Sequence, residues 1–221
     1  METPRHQQLP AHETTPNASN PLLCVSELLL IYAAVPLLTA ALLEGIFNLI
    51  PLLLIAAVLC FLLLRSSSFD NKRFVSVVPV NWKLMGGRFL LLSGLAYGFV
   101  RIFHQDLLYY LPQENLDRYV LAVALYPFWS VIPQEIIYRG WYFHRYSGLF
   151  PNTTSSVVLN SAFFSLSHIV FGNWVAVGGA FLVNFVFIHT YRKYNSLLIV
   201  VLEHFLYGVM IFSLGLGKFF R

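Results

Sequence analysis

Long apolar runs separated by short polar segments dominate the chain after residue 20. A helix of about 20 apolar residues crosses a hydrocarbon core of about 30 Å, and several runs approach that length. They occupy residues 22–43, 46–64, 89–103, 119–146, 156–171, 174–191 and 196–214. The pattern predicts an all-α fold, a polytopic transmembrane helical bundle of seven spans, or eight if residues 74–82 also enter the membrane.

The start of the chain differs from the rest. Residues 1–20 are polar and contain several prolines, without the basic patch and apolar stretch that open a signal peptide. We therefore expect a disordered polar N-terminal tail. A break at Glu44-Gly45 separates the first two runs, but no repeat or linker divides residues 21–221. This segment is predicted to be a single transmembrane helical domain, with a motif-bearing core at residues 119–214.

Composition supports a membrane protein. Hydrophobic residues make up 57% of the chain and charged residues 11%, about half the charged fraction of a soluble domain. The net charge is +4, but Lys and Arg lie in short segments between the runs, notably residues 65–88, and not on one stripe. This argues against nucleic acid as a partner and favours orientation by the positive-inside rule. We expect a multi-pass protein of the cell inner (plasma) membrane with a cytoplasmic N-terminus.

A few ionisable residues interrupt the apolar runs. Such groups cost about 3 kcal/mol or more inside a bilayer and are usually functional. Glu135 and Arg139 are four residues apart, so they share a helix face and can pair. His168 lies in the fifth run, and Glu203 and His204 lie near the middle of the seventh. The structural alternatives are an ion pair that pins the helix and a His bonded to a neighbouring carbonyl.

Carboxylate, Arg and His side chains from three helices can activate water. The carboxylate takes a proton with the help of one His, and a second His stabilises the developing oxyanion. Zinc bound by two His and carboxylates is the lesser alternative, because the chain has no HExxH motif and no local ligand pair. We therefore predict no cofactor, although a divalent metal such as zinc stays possible.

Three short motifs in the C-terminal half have a recognisable spacing. They are Gln134-Glu135-x-x-x-Arg139, then Phe164-x-x-x-His168, then His204-x-x-x-Gly208. Their order and spacing resemble the CPBP family, which comprises type II CAAX prenyl proteases and bacteriocin-processing or Abi proteins. The family pattern is Glu-Glu-x-x-x-Arg, Phe-x-x-x-His and His-x-x-x-Asn or Asp. The resemblance implies an all-helical intramembrane endopeptidase of the glutamic or metallo type, with a peptide or protein substrate.

The resemblance also implies roles for individual residues. Glu135 and His168 would activate the attacking water, and His204 would face the oxyanion. Arg139 would hold the carboxylate cluster.

Two positions depart from the family pattern. Gln134 replaces the first Glu, and Gly208 replaces the Asn or Asp. Because Gln cannot accept a proton at neutral pH, Glu135 or Glu203 must supply the carboxylate if the chain is active. Gln134 could instead donate its amide to the oxyanion.

Three functions compete at this point. The first is an endopeptidase that cleaves peptide bonds in a cavity within the membrane. The second is a catalytically inactive membrane binding scaffold, which the two departures favour. The third is a small transporter component with Glu203, His204 and His168 as a proton relay, although the sequence has no inverted repeat of the kind that transporters carry.

Overall fold

Long helices follow one another along the chain in the computed structural model, which describes residues 20–42, 46–150 and 152–220. We number them α1 to α7: Pro21–Leu42, Ile46–Ser66, Trp82–Phe103, Leu116–Leu149, Thr153–Leu166, Trp174–Tyr194 and Leu197–Ser213. Short helical segments lie between and after them: Asn71–Phe74, Gln105–Leu107, Tyr110–Glu114, Ile169–Phe171 and Leu216–Phe220. These described residues contain no β-strand, so the prediction of an all-α fold is confirmed.

Within the described segments, five helices are long and apolar enough to cross a membrane: α1, α2, α4, α5 with its following turn, and α6. Helix α7 is apolar but has 17 residues, fewer than a full span usually needs. Helix α3 has 22 residues and carries Lys83, Arg88 and Arg101. Leu22, Leu30 and Leu62 are exposed, as expected of helices that face lipid. The count of seven or eight spans stays a prediction.

Several boundaries differ from the sequence prediction. Helix α3 begins at Trp82, well before residue 89, because the side chain of Asn81 accepts a hydrogen bond from the N–H of Leu84 and caps an earlier turn. Residues 104–118, which separate two of the predicted apolar runs, are partly helical. Helix α4 starts at Leu116 and continues to Leu149. The predicted tail at residues 1–20 and the break at Glu44-Gly45 fall almost entirely outside the described residues.

The later helices begin at side-chain caps that the sequence provides. Asn152, Asn173 and Ser196 stand before α5, α6 and α7, and each accepts a hydrogen bond from a backbone N–H in the first turn. Asn195 ends α6 in the left-handed conformation with φ 47°, which Asn tolerates better than most residues. These caps fix where α5 to α7 start, and therefore which residues of the three helices face one another.

Helix α4 is irregular at its centre. It contains two π-helical stretches, Pro127–Val131 and Ile136–Trp141, on either side of one α-helical turn, Ile132–Glu135. Pro127 and Pro133 lack a backbone N–H and so weaken the regular hydrogen-bond ladder. The wider turns accompany that gap, and π-bulges of this kind are frequent at functional sites.

Tyr32 joins α1 to this irregular stretch. Its fully buried hydroxyl donates to the carbonyl of Ile137 at 2.7 Å. Its ring makes edge contacts with Tyr138, Tyr142 and Tyr146 at centroid distances of 5.3, 5.5 and 5.9 Å. Such edge-to-face pairs add about 0.5–1.5 kcal/mol each beyond area burial. The contacts hold the π-helical part of α4 against α1.

Candidate active site

Glu135 and His204 meet at the centre of the bundle. Glu135 is on the short α-helical turn of α4 and His204 is on α7. Nδ1 of His204 lies 2.6 Å from Oε1 of Glu135, and both side chains are buried. A carboxylate can only accept, so the imidazole carries its proton on Nδ1 and presents Nε2 as a proton acceptor. The pair has the arrangement of a base and the carboxylate that orients it.

Arg139 holds the other side of the carboxylate. Its Nε lies 3.0 Å from Oε2 of Glu135, and neither side chain is exposed to solvent. One negative and one positive charge therefore balance each other in the core. Because an isolated buried charge is far more costly than a paired one, Arg139 offsets the cost of burying the Glu135 carboxylate next to His204.

A chain of polar side chains supports Arg139 from α5 and α6. Its guanidinium donates to Oδ1 of Asn184. Asn184 donates in turn to Asn160 at 3.0 Å and to Ser161 at 3.1 Å. Asn160 donates to the carbonyl of Tyr138 at 2.9 Å, which returns the chain to α4. The interhelical hydrogen bonds expected of such Asn residues therefore serve to position the guanidinium.

Two phenylalanines pack against the imidazole of His204 and the guanidinium of Arg139. Arg139 lies over Phe164 and Phe187 at 4.8 and 5.4 Å, within the range of cation–π contacts. The imidazole of His204 stacks on Phe187 with a centroid distance of 4.4 Å and an interplanar angle of 22°. With Nδ1 bonded to Glu135 and one face covered, the ring of His204 has a single orientation.

His168 follows the end of α5. Its Nδ1 lies 2.7 Å from the carbonyl of Phe164, and its ring packs on that side chain at 4.8 Å. Because a carbonyl accepts, Nδ1 of His168 also carries the proton, and Nε2 is again the acceptor. The ring of His204 contacts Phe164 as well, at 6.0 Å. The two imidazoles thus share one aromatic neighbour.

A large cavity unites part of the predicted site. It has a volume of about 1720 Å³, and its lining includes His168, His204 and Gln134. Glu135 and Arg139 are fully buried behind it and do not line it. Both carboxylate oxygens of Glu135 face protein groups, which does not favour the expectation that Glu135 takes the proton of water directly.

Glu203 is directed elsewhere. Adjacent residues on a helix are about 100° apart, and Glu203 forms an ion pair with Arg88 at 2.6 Å and accepts a hydrogen bond from Thr190. It does not line the cavity that holds His204. The structure offers no support for Glu203 as the substitute carboxylate, and its position indicates a link between α7, α3 and α6.

The two departures from the family pattern have different surroundings. Gln134 lines the cavity and donates to Ser130 at 2.8 Å, while its buried Oε1 finds no partner among the described residues. Gly208 lies against the ring of Tyr126. A Cβ at position 208 would be 2.0 Å from Cε1 of Tyr126, so no larger residue fits there without moving that ring.

Tyr126 is a cavity residue that the sequence analysis missed. It lies on α4, eight residues before Gln134, in a stretch that reads only as an apolar run. The signal was indirect: Gly208 marks a close approach of some other group, but the sequence does not say which one.

Metal binding is the lesser alternative that the sequence left open. In the ranges that the structure covers, no group of three or more His, Cys, Asp or Glu side chains is placed to hold a metal ion. The Nδ1 atoms of both His168 and His204 are hydrogen-bonded to protein oxygens. Each imidazole would have to bind a metal through Nε2 alone.

Comparison with known proteins gives one match. The family model described as "Type II CAAX prenyl endopeptidase Rce1-like" matches residues 116–210, a little less than half of the chain. The matched segment runs from the first residue of α4 into α7 and includes Gln134, Glu135, Arg139, His168 and His204. No curated protein and no solved structure matches the chain.

Proposed function

We propose that this chain is an intramembrane endopeptidase of the CAAX protease family, a proposal that the Rce1-like match at residues 116–210 supports. The reaction is hydrolysis of a peptide bond in the cavity lined by His168 and His204. The bilayer and a peptide or protein substrate are the partners that this function requires.

The observation that carries the proposal is the hydrogen bond of 2.6 Å between Glu135 and His204. It supports Nε2 of His204 as the base and Glu135 as the group that orients the imidazole and stabilises its charged form. Arg139 keeps the carboxylate in place through the ion pair between its Nε and Oε2 of Glu135. This assignment replaces the direct base role that the resemblance implied for Glu135, and it moves the base to a residue that lines the cavity.

The proposed reaction balances as a water-mediated hydrolysis. A water molecule between the two imidazoles attacks the scissile carbonyl carbon and gives its proton to Nε2 of His204. Nε2 of His168 accepts the second hydrogen bond of that water and fixes its direction. When the tetrahedral intermediate collapses, the C–N bond breaks and His204 returns the proton to the leaving amine.

The test uses the full chain, purified and reconstituted in liposomes. Two internally quenched peptides serve as probes, one with a prenylated cysteine near its C-terminus and one without. We expect wild type to cleave at least one of them and His204→Ala to lose that activity. His189→Ala is the matched control, because His189 is exposed and does not line the cavity. Equal cleavage by wild type and His204→Ala would refute the base assignment.

One observation favours a second function, a binding scaffold that has lost hydrolysis. Gln134 lines the cavity at the position where the family pattern has a carboxylate. In this case wild type binds the peptides without cleaving them, and Gln134→Glu gains cleavage because it restores a carboxylate beside the water. Under the endopeptidase proposal, wild type already cleaves the peptides. Gln134→Ser also lacks the Gln amide but gains no carboxylate, so it is the control for Gln134→Glu.

A further inference from the structure

Tyr126 fills the space beside Gly208. The ideal Cβ position of residue 208 lies 2.0 Å from Cε1, 2.5 Å from Cζ and 2.8 Å from Oη of Tyr126. The phenol therefore stands where a side chain on this face of α7 would begin, one turn after His204. Its ring also makes edge contacts with His204 at 6.1 Å and with Phe212 at 5.1 Å. Packing against α7 thus holds the ring in one place.

The hydroxyl of Tyr126 is available to a ligand. Tyr126 lines the same cavity as His168, His204 and Gln134. Among the described residues, Tyr126 makes ring contacts with His204 and Phe212, and its Oη has no hydrogen bond. A Tyr hydroxyl inside a protein usually has a partner. By contrast, Tyr119 on the same helix bonds Ser213 at 2.9 Å, and Tyr32 bonds Ile137 at 2.7 Å.

The proposed hydrolysis needs a hydrogen-bond donor in this cavity. The carbonyl oxygen of the substrate becomes negatively charged in the tetrahedral intermediate, and donors aimed at it are usually the largest source of rate enhancement. Both imidazoles present acceptor nitrogens, since their Nδ1 protons are held by Phe164 and Glu135. The amide nitrogen of Gln134 donates one hydrogen to Ser130 and keeps a second N–H, so Gln134 is a candidate donor in this cavity beside Tyr126. Arg139 is fully buried behind the cavity.

We propose that Tyr126 is a catalytic residue whose hydroxyl donates to the oxyanion of the tetrahedral intermediate, an inference that rests on the endopeptidase function proposed above. The phenol supplies, from α4, the donor that Gly208 on α7 lacks. The two positions depend on each other, because the absence of a Cβ at Gly208 allows the ring of Tyr126 to approach α7 this closely.

The first test compares Tyr126→Phe with Tyr119→Phe in the liposome assay. Tyr126→Phe keeps the ring against Gly208 and removes only the hydroxyl. We expect its kcat to fall on the order of 10²-fold, with KM and thermal stability near those of wild type. Tyr119→Phe removes a hydroxyl that does not line the cavity, and its kcat should stay unchanged. An unchanged kcat in Tyr126→Phe would overturn the proposal.

A rescue experiment separates a donor from a merely structural ring. Tyr126→Ala empties the space, and the double variant Tyr126→Ala/Gly208→Asn places an amide donor there from α7. We expect the kcat of this double variant to be at least tenfold higher than that of Tyr126→Ala. Tyr126→Ala/Gly208→Ala lacks the donor, and its kcat should be no higher than that of Tyr126→Ala. Equal recovery in both would overturn the donor role. Wild type that binds but never cleaves the probes would instead refute the endopeptidase function itself.

Discussion

Replacement of Glu135 by Gln tests how the buried site works. The substitution keeps the shape of the side chain and removes its negative charge. In the wild-type protein, Oε1 lies 2.6 Å from Nδ1 of His204 and Oε2 lies 3.0 Å from Nε of Arg139. A Gln amide has one acceptor and one donor end, so it cannot satisfy both neighbours, each of which is a donor.

Each orientation of the new amide fails in a specific way. If the Gln carbonyl faces His204, its NH₂ group points at the guanidinium of Arg139, and two donors oppose each other. If the NH₂ group faces His204, it requires an unprotonated Nδ1. The proton then moves to Nε2, which can no longer act as a base. Both orientations reduce activity, and the second removes the proton acceptor from the cavity.

The size of the effect follows from burial. Glu135 and Arg139 are both completely buried, and loss of one partner from such a pair costs about 3–5 kcal/mol because the remaining charge is unpaired. The bond from Arg139 to Asn184 and its two aromatic contacts offset part of that cost. General-base catalysis contributes a factor of about 10²–10⁴, so we expect kcat to fall within that range.

The assay combines thermal unfolding in detergent with initial rates in liposomes. Glu203→Gln is the matched control, since Glu203 is also a buried carboxylate in an ion pair and precedes His204 directly. We expect both variants to unfold at lower temperature, while only Glu135→Gln loses kcat. The reasoning fails if Glu135→Gln cleaves at the wild-type rate, or if Glu203→Gln loses as much activity at a temperature where it is folded.

Two further substitutions probe the packing around the site. Gly208→Ala places a Cβ 2.0 Å from the ring of Tyr126, so we expect overpacking to lower the free energy of unfolding by about 1–3 kcal/mol. We also expect slower cleavage, because the ring has to move. A melting temperature and a cleavage rate equal to those of wild type would contradict this prediction. Tyr32→Phe removes the hydrogen-bond donor to the buried carbonyl of Ile137. We expect the free energy of unfolding, measured by chemical denaturation, to fall by about 1–3 kcal/mol while kcat is retained. A loss of kcat in the folded variant would contradict the separation of this contact from the cavity.

Much of the helical framework could be predicted from the sequence. The lengths of the apolar runs follow from bilayer thickness, and the caps at Asn152, Asn173 and Ser196 are local signals. The start of α3 was placed too late because residues 82–88 carry Lys83 and Arg88, which read as a loop although they continue the helix. Charge at a helix end is tolerated by side chains that reach past the apolar region.

Only part of the candidate site could be predicted from the sequence. The cost of ionisable groups within apolar runs and the spacing of the motifs selected Glu135, Arg139 and His204, and Glu135 contacts both of the others. Which way a carboxylate points depends on the π-helical turns of α4, and no local signal fixes their register. For the same reason Glu203 was attractive as a neighbour of His204, although it faces Arg88. Tyr126 is an ordinary aromatic residue in sequence and gains its position only through contact with α7.

The central claim is that the pair of Glu135 and His204 activates water to cleave a peptide bond. The most direct measurement is mass spectrometry of the products formed by wild-type protein in liposomes, with the quenched peptides in water labelled with oxygen-18. For wild type, we expect cleavage and one labelled oxygen in the new carboxyl terminus of the N-terminal fragment. For His204→Ala, we expect no cleavage and therefore no labelled fragment. Peptides that remain intact and bound to the wild-type protein would contradict the claim.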